Sequence, residues 1–414
     1  MQPDFCDNSP MRLLLLLLIS APAIAQSGLT IQRSNTSESL RGVSAVSRQI
    51  AWASGTDGTY LRTTDAGQTW TPAQVPEASQ LDFRAVVAFS ADEAFLMSAG
   101  PGDQSRIYHT ADAGGHWQLQ FVNNNAKGFF DSMLFWDRTH GIILGDPIPD
   151  ESGQLKFELL ITEDGEHWRP VPPSQLPAAR EGEGAFAASN TCLAILEPRN
   201  RMVSSGAGLG TDGKGTTSSR ALRPSEAKRD SALESSDPNI WFATGGKTAR
   251  VFHSPDRGQT WQVFDTPILH GPDSAGIFSI AFRDPLHGVI AGGDYQHPSD
   301  DGPNLAFTSG GGKTWTLSPI HPQAYFSAVA YDLQVNGIAS REQASALGKK
   351  KTKMPVARHR LFLIGHDFIV DLRSLSDSRR IRANNPAIKF NAVSPYPEGG
   401  ALVVGPQGVI ASVP

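Results

Sequence analysis

Acidic residues recur at matching points of this chain, directly after short apolar runs. Gly145-Asp146, Gly292-Gly293-Asp294-Tyr295 and Gly365-His366-Asp367 each follow such a run, as do Gly55-Thr56-Asp57 and Gly100-Pro101-Gly102-Asp103. Gly245-Gly246-Lys247 is a basic variant of the pattern, and Arg84, Asp131, Glu183 and Asn391 stand at the starts of other apolar runs. Gathered on one surface, these residues would form an acidic, polar site with Arg84, Lys247 and His366 as counter-charges. Asp131 and Asp146 bracket one unit, and two carboxylates held close push one pKa upward, as general-acid work requires. Asp146 to Glu151 and Asp294 to Asp301 also offer oxygen atoms of the kind Ca²⁺ takes, but neither segment has EF-hand spacing, so no metal is expected. The plainer alternative is that Gly-Asp is simply good turn chemistry. The candidate binding set is therefore Arg84, Asp131, Asp146, Glu183, Asp294 and Tyr295, with no residue assigned a catalytic role and no cofactor expected. The chain has no Gly-x-Ser-x-Gly, no His-Glu-x-x-His and no phosphate-cradling Gly-x-x-x-x-Gly-Lys-Ser/Thr.

Such residues converge only if the units carrying them repeat around one axis, and five near-copies of one phrase say that they do. The copies are Thr63-Thr-Asp65-Ala-Gly67-Gln-Thr-Trp70, Thr110-Ala-Asp112-Ala-Gly114-Gly-His-Trp117, Thr162-Glu-Asp164-Gly165-Glu-His-Trp168, Ser254-Pro-Asp256-Arg-Gly258-Gln-Thr-Trp261 and Thr308-Ser-Gly310-Gly-Gly312-Lys-Thr-Trp315. The third is one residue short, and the fifth has glycine in place of aspartate. In each, the hydroxyl and the carboxylate can accept N–H groups of a turn, glycine permits a positive φ, and tryptophan opens the next strand with a large apolar ring. A structural role accounts for every position. Successive tryptophans lie 47, 51 and 54 residues apart, save for a gap of 93 between Trp168 and Trp261. That gap holds a polar, Gly/Ser-rich and charged insertion at about 198–237, whose composition reads as disordered.

Each unit contains several short apolar runs separated by turn residues, which is the pattern of a propeller blade. The second unit shows it cleanly in Ala85–Phe89, Ala94–Met97, Arg106–His109 and Trp117–Phe121. Two further units lack the phrase, around Ser327–Leu372 and Phe390–Ala411. Seven units result, and the last has only three strands before residue 414. Leu29–Gln32 has no partner in its own unit and is expected to supply the fourth. The predicted fold is all-β, a seven-bladed propeller of four-stranded antiparallel blades in one domain over 26–414, closed by the N-terminal strand. In that topology one face collects the starts of the first strands and the ends of the second strands around the channel mouth. The repeated turns lie on the other face.

Residues 1–25 read as a signal peptide: Met11-Arg12, the run Leu13–Ile19 and Ala23-Ile24-Ala25 form a basic, an apolar and a cleavage region, with Met11 a candidate start. The apolar run is short for a membrane span, and an exported, periplasmic or extracellular, monomeric protein is expected. Removal of Cys6 would leave Cys192 alone, which excludes an intrachain disulfide and a cysteine metal cluster. With 36 basic against 41 acidic residues, the net charge is −5, which argues against nucleic acid as a partner. The exception is a basic loop at about 340–358, with Lys349–Lys351, Lys353 and then Arg358 and Arg360.

The phrase resembles the Asp-box (BNR) repeat. Together with Gly182–Ser189, Ser274–Asp284 and Gly292–Tyr295, it makes residues 28–414 resemble the photosystem II stability/assembly-factor-like family. That resemblance implies an exported, non-enzymatic seven-bladed propeller that acts as a scaffold or binding protein for a protein partner or polymer ligand. Asp-box sialidases and xyloglucanases are the enzymatic alternative, a glycoside hydrolase or lectin using the acidic mouth. The chain lacks the Phe-Arg-Ile-Pro-type segment of sialidases, and it is much shorter than the two-propeller xyloglucanases.

Overall fold

In the computed structural model, described over residues 28–196, 237–320, 324–332, 360–374 and 376–414, the strands form seven antiparallel sheets. The segments read from sequence as a signal peptide and a basic loop lie outside the described residues apart from Arg360, and the 198–237 insertion does so apart from Asp237. Taken from the axis outward, blade 1 is Leu40–Ala45, Ala51–Gly55, Thr59–Thr63 and Thr71–Gln74. Blade 2 is Asp82–Ala88, Ala94–Ala99, Arg106–Thr110 and Gln118–Val122. Blade 3 runs from Phe130–Phe135 through Gly141–Pro149 and Leu155–Thr162 to Arg169–Pro170. Blade 4 comprises Leu193–Ile195, Ile240–Ala243, Arg250–Ser254 and Gln262–Asp265. Blades 5 and 6 begin at Ala275–Phe282 and Phe326–Tyr331. Blade 7 is Ala392–Pro395, Ala401–Gly405 and Val409–Val413, with Thr30–Gln32 outermost: Thr30 lies opposite Ser412 and Gln32 opposite Ile410.

The apolar residues of these strands are buried between blades, because each sheet presents its two faces to its two neighbours. Seven separate clusters result, one per seam. Phe83, Leu96 and Trp52 pack between blades 1 and 2. Phe95, Met133 and Ile143 pack between blades 2 and 3. Leu402, Ala53 and Leu61 pack between blades 7 and 1. Near the axis the inner strands approach so closely that small residues are required. A Cβ on Gly42 would meet Ser54 Oγ at 2.6 Å and the Val86 nitrogen at 3.0 Å. Inner-strand serines tie adjacent blades there: Ser394 Oγ accepts from the Ala45 N–H, Ser44 Oγ from the Ala88 N–H, and Ser279 Oγ from the Val329 N–H.

The repeated phrase forms the turn its residues suggested. Thr63 Oγ1 donates to Asp65 Oδ1 at 2.9 Å and accepts the Gly67 N–H at 3.0 Å, and Asp65 Oδ1 accepts the Thr69 N–H at 2.9 Å. Thr110 with Asp112 and Gly114 repeats this, as does Ser254 with Asp256 and Gly258. The short copy keeps the bonds from Thr162 to Asp164 and from Gly165 to Thr162, and the fifth keeps the Gly312-to-Thr308 bond without an aspartate. Ala66 and Gly67 both have positive φ, 62° and 78°, as do Ala113 and Gly114 and also Arg257 and Gly258. This left-handed pair turns the preceding N–H outward. Ala66, Ala113 and Gly311 accordingly donate to carbonyls of the first hairpin turn of their own blade, and Arg257 to the Pro238 carbonyl just ahead of the second strand of blade 4.

The tryptophans then reach backward. Trp70 Nε1 donates to Gln32 Oε1 in blade 7, and Trp168 Nε1 donates to Gln120 Oε1 in blade 2. Trp70 and Trp168 are buried, whereas Trp117, Trp261 and Trp315 are half-buried. Replacing Trp70 with alanine is expected to cost about 3–5 kcal/mol, the range for deleting a large buried aromatic. Trp117→Ala should cost less, since its ring is partly solvated and its Nε1 has no partner. Urea denaturation of the two variants tests this ranking; equal losses would show that burial does not set the order.

Candidate functional site at the channel mouth

Five inner strands carry a β-bulge at the end nearest the mouth. The register shifts between Leu40 and Gly42, Phe83 and Ala85, Phe130 and Ser132, Ile277 and Ser279, and Phe326 and Ala328. Each shift leaves one residue unmatched: Arg41, Arg84, Asp131, Phe278 and Ser327. A bulge re-aims the extra side chain, so one irregularity repeated around the ring produces a ring of residues that the sheet itself does not use. In blade 7 Asn391 stands at the corresponding place and donates to the Leu40 carbonyl at 2.8 Å.

In blade 4 the bulge becomes an excursion. Glu183 and Gly184 pair with Gly246 and Gly245, the chain leaves the sheet, and pairing resumes at Leu193. The intervening segment is bonded to four other blades. Ala185 N–H donates to Asp146 Oδ1 in blade 3 at 3.0 Å, and Arg84 Nη1 of blade 2 donates to the Ala187 carbonyl at 3.0 Å. Ser189 Oγ donates to the Ser327 carbonyl in blade 6 at 2.7 Å. Asn190 pairs through its side chain with both the N–H and the C=O of Met133 in blade 3, while Ile280 N–H of blade 5 donates to the Thr191 carbonyl. Phe186 stacks on Phe278 with centroids 3.8 Å apart and planes 9° from parallel. Blades 2 and 6 lie on opposite sides of blade 4, so a segment that bonds to both crosses the axis. The 185–191 segment is a plug.

The plug decides the electrostatics below it. Asp131 is 1% exposed, and its Oδ2 is buried without a hydrogen-bond partner. Burial, reinforced by Asp146, pushes its carboxyl well above the usual range, with Arg84 opposing. Burial pushes Asp146 up to about 6, against the lowering effect of the Ala185 N–H. Glu158, held by Asn123 Nδ2 at 2.8 Å, is also raised by burial. Cys192 lies in the same layer, fully buried, with its thiol raised by desolvation.

The sequence expectation of an open acidic mouth is therefore corrected for three residues. Asp131 lies within the layer beneath the plug. Glu183 is 5% exposed and fully engaged, accepting from Arg250 Nε at 2.9 Å and Thr244 Oγ1 at 2.7 Å, and also from Arg250 Nη2. Asp294, 7% exposed, closes its own loop by accepting the Gln296 N–H and pairing with His297 Nδ1 at 3.0 Å. Burial raises its pKa, but those bonds outweigh it and hold the carboxyl below the usual range. Asp146 is half-buried beside the plug. Arg84 and Tyr295 remain accessible, Tyr295 at 50%. Among the described residues, no group of three or more His, Cys, Asp or Glu is placed to hold a metal ion, and no helix is long and apolar enough to cross a membrane.

The structure adds residues that the sequence reading passed over. Phe278 meets Tyr325 edge-on at 4.7 Å and Tyr295 at 6.1 Å. Arg41 lies beside Asp82, Arg84 and Tyr325. The signal for Arg41 was present: Leu40-Arg41 aligns with Phe83-Arg84 at the start of the next unit.

The architecture is that of a seven-bladed β-propeller whose channel is crossed by its own fourth blade. No protein-family model matches the chain, and no curated protein matches it in sequence. Among solved structures it is similar to YCF48 bound to D1 peptide, with a TM-score of 0.55 and 13% identity over 95% of this chain and 99% of that one. It is also similar to selenomethionine-substituted virginiamycin B lyase from Staphylococcus aureus, at 0.54 and 10% over 93% and 98%. The WD40 propeller domain of Doa1 follows at 0.51 and 10%, over 92% and 96%. At these identities the likeness is one of fold.

The raised Asp146 carboxyl makes stability fall as pH rises. Below the ordinary aspartate pKa both folded and unfolded chains are protonated; between about 4 and 6 the unfolded chain releases its proton first and becomes favoured. The loss is roughly 2–3 kcal/mol between pH 4 and pH 7. Asp146→Asn keeps an oxygen for the Ala185 N–H and removes the titration. The variant should match wild type at pH 4 and exceed it at pH 7 in urea melts. An unchanged pH profile would show that Asp146 is ionised without penalty.

Proposed function

We propose that this chain is an exported, non-enzymatic propeller that binds a protein partner across its channel mouth. The observation that carries the reading is the plug. It sets main chain across the axial opening, beside which Tyr295 and part of the Arg41 and Arg84 side chains remain accessible while Asp131, Glu183 and Asp294 are buried. A glycoside hydrolase needs two carboxyl groups flanking an open groove. Here Asp131 is buried, Glu183 is paired with Arg250, and Asp294 closes a turn. A mouth with an accessible tyrosine and arginines suits recognition, because these residues dominate binding energy at protein interfaces. Export is supported by the basic, apolar and small-residue regions between Met11 and Ala25. A peptide-like partner is further supported by the similar propeller YCF48, which is described as bound to D1 peptide.

The test uses a photo-activated cross-linking residue placed at position 295 and, as a control, at Leu286, which is 56% exposed in the first hairpin turn of blade 5 on the opposite face. Adducts with one host protein are expected from position 295 and not from 286. Tyr295→Ala should weaken that partner's binding roughly tenfold or more, as for an aromatic anchor, without moving the thermal midpoint. Adducts from 286 alone would place the interface on the wrong face.

A further inference from the structure

We infer that Arg41 and Arg84 form a receptor for a carboxylate of the ligand, with Asp82 as a resident counter-ion set between them. The inference rests on the mouth being the binding face and names the group recognised there. Arg41 donates no hydrogen bond to any described residue. Its nearest acid is Asp82, whose Oδ1 lies 3.8 Å from Arg41 Nε, beyond hydrogen-bond reach. Both of those atoms are buried without partners. Asp82 Oδ2 is instead engaged by Arg84 Nε at 2.8 Å, and Arg84 Nη1 by the Ala187 carbonyl of the plug. Two guanidinium groups therefore flank one carboxylate, and only that of Arg84 hydrogen-bonds to it. Arginine normally meets a carboxylate through paired N–H···O bonds. An arginine left without one, about a third of its side chain exposed, is placed to make them with something else.

The surroundings define the ligand class. Tyr325 lies within electrostatic range of Arg41 and of Tyr295, and both tyrosines pack on Phe278 and through it on Phe186 of the plug. The arginines are thus neighboured by aromatic rings and by Asp82. Its local charge, two cations against one anion, matches a single carboxylate; a phosphate dianion would meet Asp82 with one positive charge too few. A peptide carries that group either at its C-terminus or on an aspartate or glutamate side chain.

The experiment uses three N-acetylated penta-alanine probes measured by protein-observed NMR titration: the free acid, the carboxamide, and the carboxamide with a central glutamate. At least one acidic probe should bind more tightly than the neutral one, and the stronger of the two identifies the source of the carboxylate. Arg41→Gln should weaken the acidic probe about tenfold, the scale of one charge-assisted bond pair, and leave the neutral probe unchanged. Arg41→Lys should retain part of the affinity. Asp82→Asn should strengthen acidic binding several-fold by removing the competing charge, a direction that a merely structural role for Asp82 does not produce. Equal binding of acidic and neutral probes, insensitivity to Arg41→Gln, or no binding of any probe would overturn the carboxylate site. In each case adducts at position 295 would leave the mouth as the partner face. Conversely, Arg41-dependent carboxylate binding without adducts at 295 would keep the site and remove the protein-partner reading.

Discussion

Seven sheets that converge on one axis leave a space too narrow for large side chains and too wide to leave empty, and the structure depends on how that space is filled. Glycine, alanine and serine line the inner strands. The void above them is filled by main chain rather than by side chains, in the form of the 185–191 segment. Its N–H and C=O groups would be unpaired if buried without partners, and blades 2, 3 and 5 each supply one or more. The bulges of the inner strands help make this work. The bulge residues Arg84 and Ser327 bond to the plug, Phe278 stacks on it, and Ser132 and Asp146 stand beside it.

The charge distribution follows from that filling. A carboxylate at the mouth would ordinarily be solvated and unremarkable, but Asp131 beneath the plug and Asp146 beside it lose water, and Asp146 adds to the rise of Asp131. In the neighbouring blade 2, Arg84 is drawn to the plug carbonyl and Asp82 to Arg84, which leaves the Arg41 side chain with no bonded partner. The raised carboxyls and the unbonded guanidinium are therefore two consequences of one covering segment. The repeated turns on the far face play no part in this. Their hydroxyls and carboxylates are engaged by turn N–H groups, and their tryptophans tie each blade to itself or to the one before.

The ring was legible in the sequence because the turn at Thr63–Trp70 and its copies is chemically exacting. It needs a hydroxyl, a left-handed residue and a ring at fixed spacing, so the repeat is visible without an alignment. The outer strand Asp377–Ile381 was not legible, since Asp-Ser-Arg-Arg-Ile carries one buried residue and no alternation to mark it. For the site, positions were legible and environments were not. Asp131, Glu183 and Asp294 do stand at strand ends as expected, yet whether a carboxylate at a strand end meets water, Arg250 or a plug is settled by residues far away in the chain. Glu183 illustrates this: its partner is 67 residues away. In the sequence the plug shows only as the family-like segment Gly182–Ser189, because a main-chain bridge leaves no periodic trace in side-chain types.

One further consequence comes from the contact between blades 4 and 5. Gly245 and Gly276 approach so closely that a Cβ on Gly276 would lie 2.3 Å from the Gly245 Cα, and their pairing joins Glu183–Gly184 and Gly245–Gly246 to blade 5 as a single six-stranded sheet. The other seams are held by interdigitated side chains and by isolated hydrogen bonds, such as Trp70 Nε1 to Gln32, Asn391 to the Leu40 carbonyl and Phe390 N–H to the His366 carbonyl, without a strand ladder between neighbouring blades. This one is held by backbone pairing, which cannot slide without breaking. Mechanically the ring is thus a band with one weld, and blades 4 and 5 move as a single body.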